Sequence, residues 1–170
     1  MVGRFKRGLD YHIVRGRRRS NPVYWAMQFS EAGSDAIVAY EFLIDEITEQ
    51  DGCLYKYDID TLLFLICDFV KTKDLVYARK ILDIIIDAGG FDKKCYEHGY
   101  LTNFDLQADF VYATQRRKAR FIEGCCLLTA EQINEYSDGH VNIDDKFSDI
   151  NGVIVDISPF IVNKEKQSNS

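Results

Sequence analysis

Apolar positions recur at helical spacing in four stretches of the chain, each bounded by residues that start or stop a helix. "SDAIVAYEFLIDEITEQDG" places Ile37, Tyr40, Ile44 and Ile47 on one stripe, with Ser34 at the N-cap and Gly52 as the stop. "IDTLLFLICDFV" repeats Ile59, Leu62, Leu63, Ile66 and Phe69 at the same spacing, with Asp58 or Asp60 as its cap. The run also resembles a strand, but the cap at its start and "KTKD" at its end decide for a helix. "LVYARKILDIIIDAGG" follows, capped by Asp74, with Val76, Ile81, Leu82 and Ile85 assigned inward. Gly89 and Gly90 end it as residues free to take positive φ. "FDLQADFVYATQRRKAR" starts behind Asn103 and turns Leu106, Phe110 and Ala113 inward, its end loaded with Arg116, Arg117, Lys118 and Arg120. Cations there oppose the negative end of the helix dipole, so the cluster has a structural reading beside a functional one.

Shorter pieces fill the gaps. Asn21 as cap and Pro22 in the first turn start a short helix to about Phe29, closed by "SEAGS". "CLYKY", Cys53 to Tyr57, alternates and is too short for a helix, so it reads as a strand. "FDKKCYEHGYLT" holds extended pieces around Phe91 and at Tyr100-Leu101 that can pair with it. Beyond residue 121, Thr129-x-x-Gln132 fits a capping box for one short helix. "VNIDDKF", "INGVIVDIS" and "PFIVN" suit a strand pair or a linker, and the last seven residues read as disordered. Strand, helix, helix and short strands behind a leading helix is the order of a winged helix. The expected fold class is therefore mainly α (α+β): a winged helix-turn-helix with a small antiparallel β-sheet and extra flanking helices, its helix-turn-helix at residues 58–88. The expected organisation is a basic N-terminal arm (1–21), a winged-helix domain (22–120) and an acidic, partly disordered C-terminal extension (121–170).

Composition narrows the class. At 170 residues with 46% hydrophobic and 13% aromatic content, the chain supports a core without staples. Its greasiest runs are cut by Asp68 and Asp87, short of the roughly 20 apolar residues that span a bilayer. No apolar h-region follows the charged N terminus, so the expected setting is cytoplasmic and reducing, with no membrane partner. Cys53, Cys67, Cys95, Cys125 and Cys126 contain no C-x-x-C and are read as free thiols. His12, His98 and His140 lie far apart in sequence, so neither a metal nor a cofactor is expected.

The net charge of -6 is unevenly spread. Residues 1–20 hold seven Lys/Arg against one acid, residues 21–120 eleven against seventeen, and residues 121–170 three against nine. An acidic body with a basic arm suits contact with a polyanion, although block charges also keep tails solvated.

Residues 7 to 120 resemble the winged-helix domain at the N terminus of phage and bacterial replisome organisers related to the DnaD primosome component. The likeness is carried, in order, by "RGLDYH", by Gly33 with "AIVAYEFLIDEI", by "GCLYKYDID", by "GGFDKKCYEHGYLT" and by "QRRKAR". It implies a cytoplasmic, non-catalytic protein of replication initiation, with DNA, copies of itself and a helicase or its loader as partners. Two departures matter. Where relatives carry an acidic, aromatic stretch after G-L-D-Y, this chain has "HIVRGRRRSNP", so no family role passes to those arginines. Relatives are often longer, with a second helical domain, and helicase loading located there is expected to be missing.

Two function classes follow. In the first, a DNA-binding module, Arg15, Arg17, Arg18 and Arg19, Lys71 and Lys73 at the turn, Lys93 and Lys94 in the wing, and Arg116, Arg117, Lys118 and Arg120 contact phosphate. Tyr77, Arg79 and Lys80, near the start of the third helix, read bases. Against it, Arg79, Asp83 and Asp87 share one face, where two aspartates repel a groove and an intrahelical ion-pair row fits better. In the second, the domain is an assembly module that pairs with a copy of itself or another replication protein, through aromatics such as Tyr24, Trp25, Tyr55 and Tyr57 where these are exposed. An enzymatic reading, a metal-dependent nuclease using Asp144, Asp145 and Asp149, has no rigid scaffold behind it. No P-loop or G-x-S-x-G is present, so the chain is read as a non-enzyme.

Overall fold

Side-chain caps fix most helix starts where the sequence places them. In the computed structural model, which describes residues 8–9, 20–116, 121–140 and 146–147, Asn21 Oδ1 accepts the N–H of Val23 at 2.9 Å and Pro22 opens α1 (Pro22–Gln28). Asp58 accepts from the Thr61 N–H and opens α3 (Ile59–Val70). That bond, joined by the Thr61 hydroxyl, holds the Asp58 carboxyl below its ordinary pKa. Asp74 Oδ1 accepts from Val76 and Tyr77 and opens α4 (Leu75–Asp87), and Thr129 and Gln132 form a complete capping box on α7 (Ala130–Tyr136). The order is completed by α2 (Ser34–Thr48), a 3-10 turn at Asp51–Cys53, β1 (Tyr55–Lys56), α5 (Lys93–Glu97), β2 (Tyr100–Leu101), α6 (Phe104–Ala113), β3 (Phe121–Ile122) and β4 (Lys146–Phe147). The fold is mainly helical with a small two-stranded antiparallel sheet, β1 with β2, and a second pair, β3 with β4, that runs parallel.

The described residues fall into two units. The first, residues 20–47 and 55–103, is organised by α3 packed on α4, where Leu62, Ile66, Ile81, Leu82 and Ile85 are fully buried. Burying such side chains stabilises by about 1.5–3 kcal/mol each. The turn between these helices depends on Lys71, which caps α3 in the left-handed region (φ 57°) and donates its N–H to the Cys67 carbonyl. In the small sheet, Tyr55 lies opposite Leu101 and Lys56 opposite Tyr100. Tyr40 locks α2 to the end of α4: its ring packs against Tyr24 and Phe91, and its hydroxyl donates to the Gly90 carbonyl at 3.3 Å. Asn103 Nδ2 donates to the same carbonyl at 2.9 Å.

The second unit comprises residues 8–9, 48–54 and the described residues from 104 onward. Here α6 packs on α7 and on the 3-10 turn, and β3 lies against that turn. The Leu9 N–H donates to the Thr48 carbonyl at 2.9 Å, and a Cβ on Gly8 would run into the backbone of Glu49. That close approach gives a physical reason for glycine-leucine in "RGLDYH". Fully buried Gln107 on α6 binds the segment before α7: Leu127 N–H donates to its Oε1 at 2.8 Å and its Nε2 donates to the Cys125 carbonyl at 2.6 Å.

Several expectations are corrected. Val76, assigned inward, is 80% exposed, because the buried stripe of α4 runs through Ala78, Ile81, Leu82 and Ile85 and position 76 points away from it. Phe91 forms no strand: residues 93–97 form α5, so Lys93 and Lys94 stand on a short helix rather than on a hairpin wing. α6 ends at Ala113, so Arg116 lies in the following turn and not in a last helical turn. α2 ends at Thr48, and Gly52 (φ 67°) instead shapes the 3-10 turn. Gly89 takes positive φ (79°), whereas Gly90 is required by packing, since a Cβ there would sit 2.9 Å from Ile85 Cγ2. Cys53, Cys67 and Cys126 are buried thiols outside any disulfide, but Cys95 and Cys125 are disulfide-bonded. The strands considered in "INGVIVDIS" and "PFIVN", and Asp144, Asp145 and Asp149, lie outside the described residues. No helix among the described residues is long and apolar enough to cross a membrane.

Candidate nucleic-acid interface

The outer face of α4 is where a helix-turn-helix would meet base edges, and its side chains are already engaged. Arg79 Nε donates to Asp83 Oδ1 at 3.1 Å, one turn along the same helix. Lys80 Nζ lies 2.6 Å from Glu31 Oε2 on the α1–α2 connection. Tyr77 donates its hydroxyl to Asp35 Oδ2 at 2.9 Å. That carboxylate acceptor, more than partial burial, raises the Tyr77 pKa by favouring the protonated phenol. Lys71 in the turn pairs with Asp68 at 3.0 Å.

These pairs are half to three-quarters exposed, so each contributes at most about 1 kcal/mol to stability. Their effect on the local field is larger than their effect on the fold. A shallow groove of about 590 Å³ runs along α4, lined by Leu75, Val76, Ile84, Arg79, Lys80, Asp83, Asp87 and Glu31. Its rim holds two cations against three carboxylates, so the face offers a phosphate backbone no net attraction. Its apolar component, with Leu75 43% and Val76 80% exposed, is unusually open for aliphatic side chains.

The remaining candidates are dispersed. Lys73 in the turn and Lys93 and Lys94 on α5 are exposed, and none forms an ion pair among the described residues. Arg116 is exposed in the other unit. Arg15, Arg17, Arg18, Arg19, Arg117, Lys118 and Arg120 lie outside the described residues. Beside α4, Tyr57 and Tyr96 stack with ring centroids 5.4 Å apart, and the Tyr57 hydroxyl donates to the Tyr96 carbonyl at 2.8 Å. Burial first, then Tyr96, pushes the Tyr57 pKa up to about 12, against an opposing pull from the Arg79 cation.

Of the aromatics considered for docking, Tyr24, Tyr55 and Tyr57 are half-buried, whereas Trp25 is 55% exposed. Sequence reasoning missed its neighbour Phe29, 78% exposed, which was read only as a helix end. The i, i+4 spacing of Trp25 and Phe29 was the available signal. No group of His, Cys, Asp and Glu able to hold a metal occurs among the described residues. No family model, no curated protein and no solved structure matches the chain.

Proposed function

We propose that the chain is a non-catalytic assembly module of winged helix-turn-helix type, working in a replication-initiation complex and docking protein through the outer face of α4. The observation that carries this is the α4 groove itself: an exposed Leu75–Val76–Ile84 strip rimmed by two cations and three carboxylates. A protein partner matches an apolar centre with a mixed polar rim, whereas a DNA groove requires a surplus of positive charge. The winged-helix element is supported by the order α2, β1, α3, α4, β2 and by the antiparallel β1–β2 pair, with α5 in the place of a hairpin. Replication initiation as the setting is supported by the resemblance of residues 7 to 120 alone.

Sedimentation velocity over a wide concentration range tests the docking surface. Wild type is expected to self-associate, and Val76→Asp, at a position too exposed to disturb folding, to remain a monomer. A wild type that stays monomeric throughout and is bound by no replication protein through this face overturns the reading.

A second reading, contact with nucleic acid, is favoured by the surplus of six positive charges in residues 1–20 and by the exposed Arg116 and its basic neighbours in sequence. Such contact falls on phosphates, carries no sequence information and weakens steeply with salt. Arg79→Ala with Lys80→Ala leaves it unchanged, because both cations are engaged within the fold.

A further inference from the structure

We infer that the occupant of the α4 groove is a second copy of this chain, laid antiparallel across a two-fold axis that passes close to Lys80. The inference rests on protein docking at α4 and adds the partner and its orientation. Charge changes sign halfway along the outer face: Leu75 and Val76 come first, then the cations Arg79 and Lys80, then the carboxylates Asp83 and Asp87 with Ile84 between them. A partner surface of one sign gains on one half of this face and loses on the other. A second copy running the opposite way supplies the same order inverted, which is what an isologous two-fold contact requires. A copy running the same way sets Asp83 and Asp87 against their own counterparts, and like charges so juxtaposed repel.

The register follows from helix geometry. Val76 and Ile84 lie one turn before and one turn after Lys80, about 6 Å along the helix on either side. An axis at Lys80 therefore brings Val76 of each copy against Ile84 of the other, so a valine that is 80% exposed is covered by an aliphatic side chain. In the same register Arg79 stands about 3 Å along the helix from Asp83 of the other copy, a gap that an arginine side chain spans. Arg79 holds its own Asp83 through Nε, and a guanidinium carries further N–H donors, so it takes a second carboxylate without releasing the first. The two intrahelical pairs then join into one network across the axis. Lys80, the cation that meets its own counterpart there, is turned to Glu31 at 2.6 Å, so like charge at the axis is already offset.

Charge exchange tests the orientation, with self-association of the full chain followed by fluorescence-detected sedimentation velocity. Arg79→Asp alone and Asp83→Arg alone are each expected to weaken it on the order of tenfold or more, because the symmetry loses every pair twice. A mixture of the two single variants, one of them labelled, is expected to associate more tightly than either alone, since each then carries the charge the other lacks. The double variant Arg79→Asp with Asp83→Arg restores association to near the wild-type level. It also keeps an intrahelical pair, now in the more favourable acid-before-base order, so a folding defect does not mimic the result. Thermal melts followed by circular dichroism check that all variants are folded. A mixture no tighter than its components, or a double variant as weak as the singles, overturns the antiparallel pairing. If Val76→Asp still abolishes association in that case, docking on α4 stands and only the pairing falls. A wild type that is monomeric at every concentration also overturns the pairing, and a replication protein held through α4 would then leave the docking reading in place.

Discussion

Replacing Gln107 by methionine preserves volume and helix propensity while removing every hydrogen bond the side chain makes. Gln107 Oε1 accepts the Leu127 N–H and Nε2 donates to the Cys125 carbonyl, so two backbone groups of a non-helical, non-strand segment lose their partners at once. Cys125 is fully buried and Leu127 half-buried, so water replaces the lost bonds poorly. An abandoned buried group costs about 1–3 kcal/mol, and the methionine gains back part of this because no amide has to be desolvated. The net expectation is a loss of about 2–4 kcal/mol, a large share of the 5–15 kcal/mol that holds a typical domain. With a urea m-value of about 1–3 kcal/mol/M, the transition reporting α6 and α7 moves down by roughly 1–2 M. Gln107→Glu costs more, because an oxygen then faces the Cys125 carbonyl oxygen and a carboxylate is buried beside it. Amide exchange at Leu127 separates a local effect from a global one: its protection falls further than that of Ile133, the buried residue of α7. A Gln107→Met protein with an unchanged midpoint and unchanged Leu127 protection would refute the idea that this glutamine stands in for a paired strand.

Other expectations follow from single contacts. Gly8→Ala forces a Cβ into the Glu49 backbone, so it breaks the Leu9–Thr48 hydrogen bond and lowers the melting temperature, whereas Gly89→Ala, with open space around it, suffers only the strain of its positive φ. Tyr57, neutral and raised to about 12 in the fold, supports folding below its unfolded pKa near 10, and that support is lost as pH rises from about 10 through 12. Absorbance of tyrosinate should show a late-titrating component near pH 12 that is reduced in Tyr57→Phe, the upward-shifted Tyr77 remaining; a single wave near pH 10 for all tyrosines contradicts the burial assigned to Tyr57. Tyr77→Phe removes the bond to Asp35 and is expected to cost about 0.5–1.5 kcal/mol in a denaturant titration, with no change in affinity for DNA. Arg79→Ala combined with Lys80→Ala should leave anisotropy titrations with duplex DNA within experimental scatter of wild type, and a large loss would restore α4 as a base-reading helix.

Helix starts were legible because a cap is a local device: Asn21, Asp58, Asp74 and Thr129 each bond an N–H two or three residues away, so the sequence contains both partners. The ion-pair row on α4 was legible for the same reason, its residues being one turn apart. What the sequence concealed was long-range. Lys80 finds Glu31 and Tyr77 finds Asp35 across more than forty positions, and no spacing rule announces either. Val76 was misassigned because an aliphatic residue in a helical run is ordinarily buried, and only the packing of α3 shows which stripe of α4 faces inward. Lys93 and Lys94 were placed on a wing because Phe91 and Tyr100 suit strands, yet Asp92 accepts the Cys95 N–H at 2.9 Å and starts a helical turn instead. Phe29 escaped notice because its exposure depends on which face α1 buries, and that is set by Met27.

The exposed pairs on α4 make dissolved salt the variable that would distinguish the proposed protein contact from the proposed nucleic-acid contact. Ions at physiological strength shorten electrostatic reach to about 8 Å, and further salt weakens arginine–phosphate contacts and the Arg79–Asp83 and Lys80–Glu31 pairs together. The two consequences differ. A strand bound through arginines would be released, while the Leu75–Val76 strip, being apolar and exposed, would lose nothing to screening. If both proposed contacts operate, ionic strength acts on them as a dial rather than a general solvent of complexes: turned down it favours polyanion, turned up it favours protein against protein.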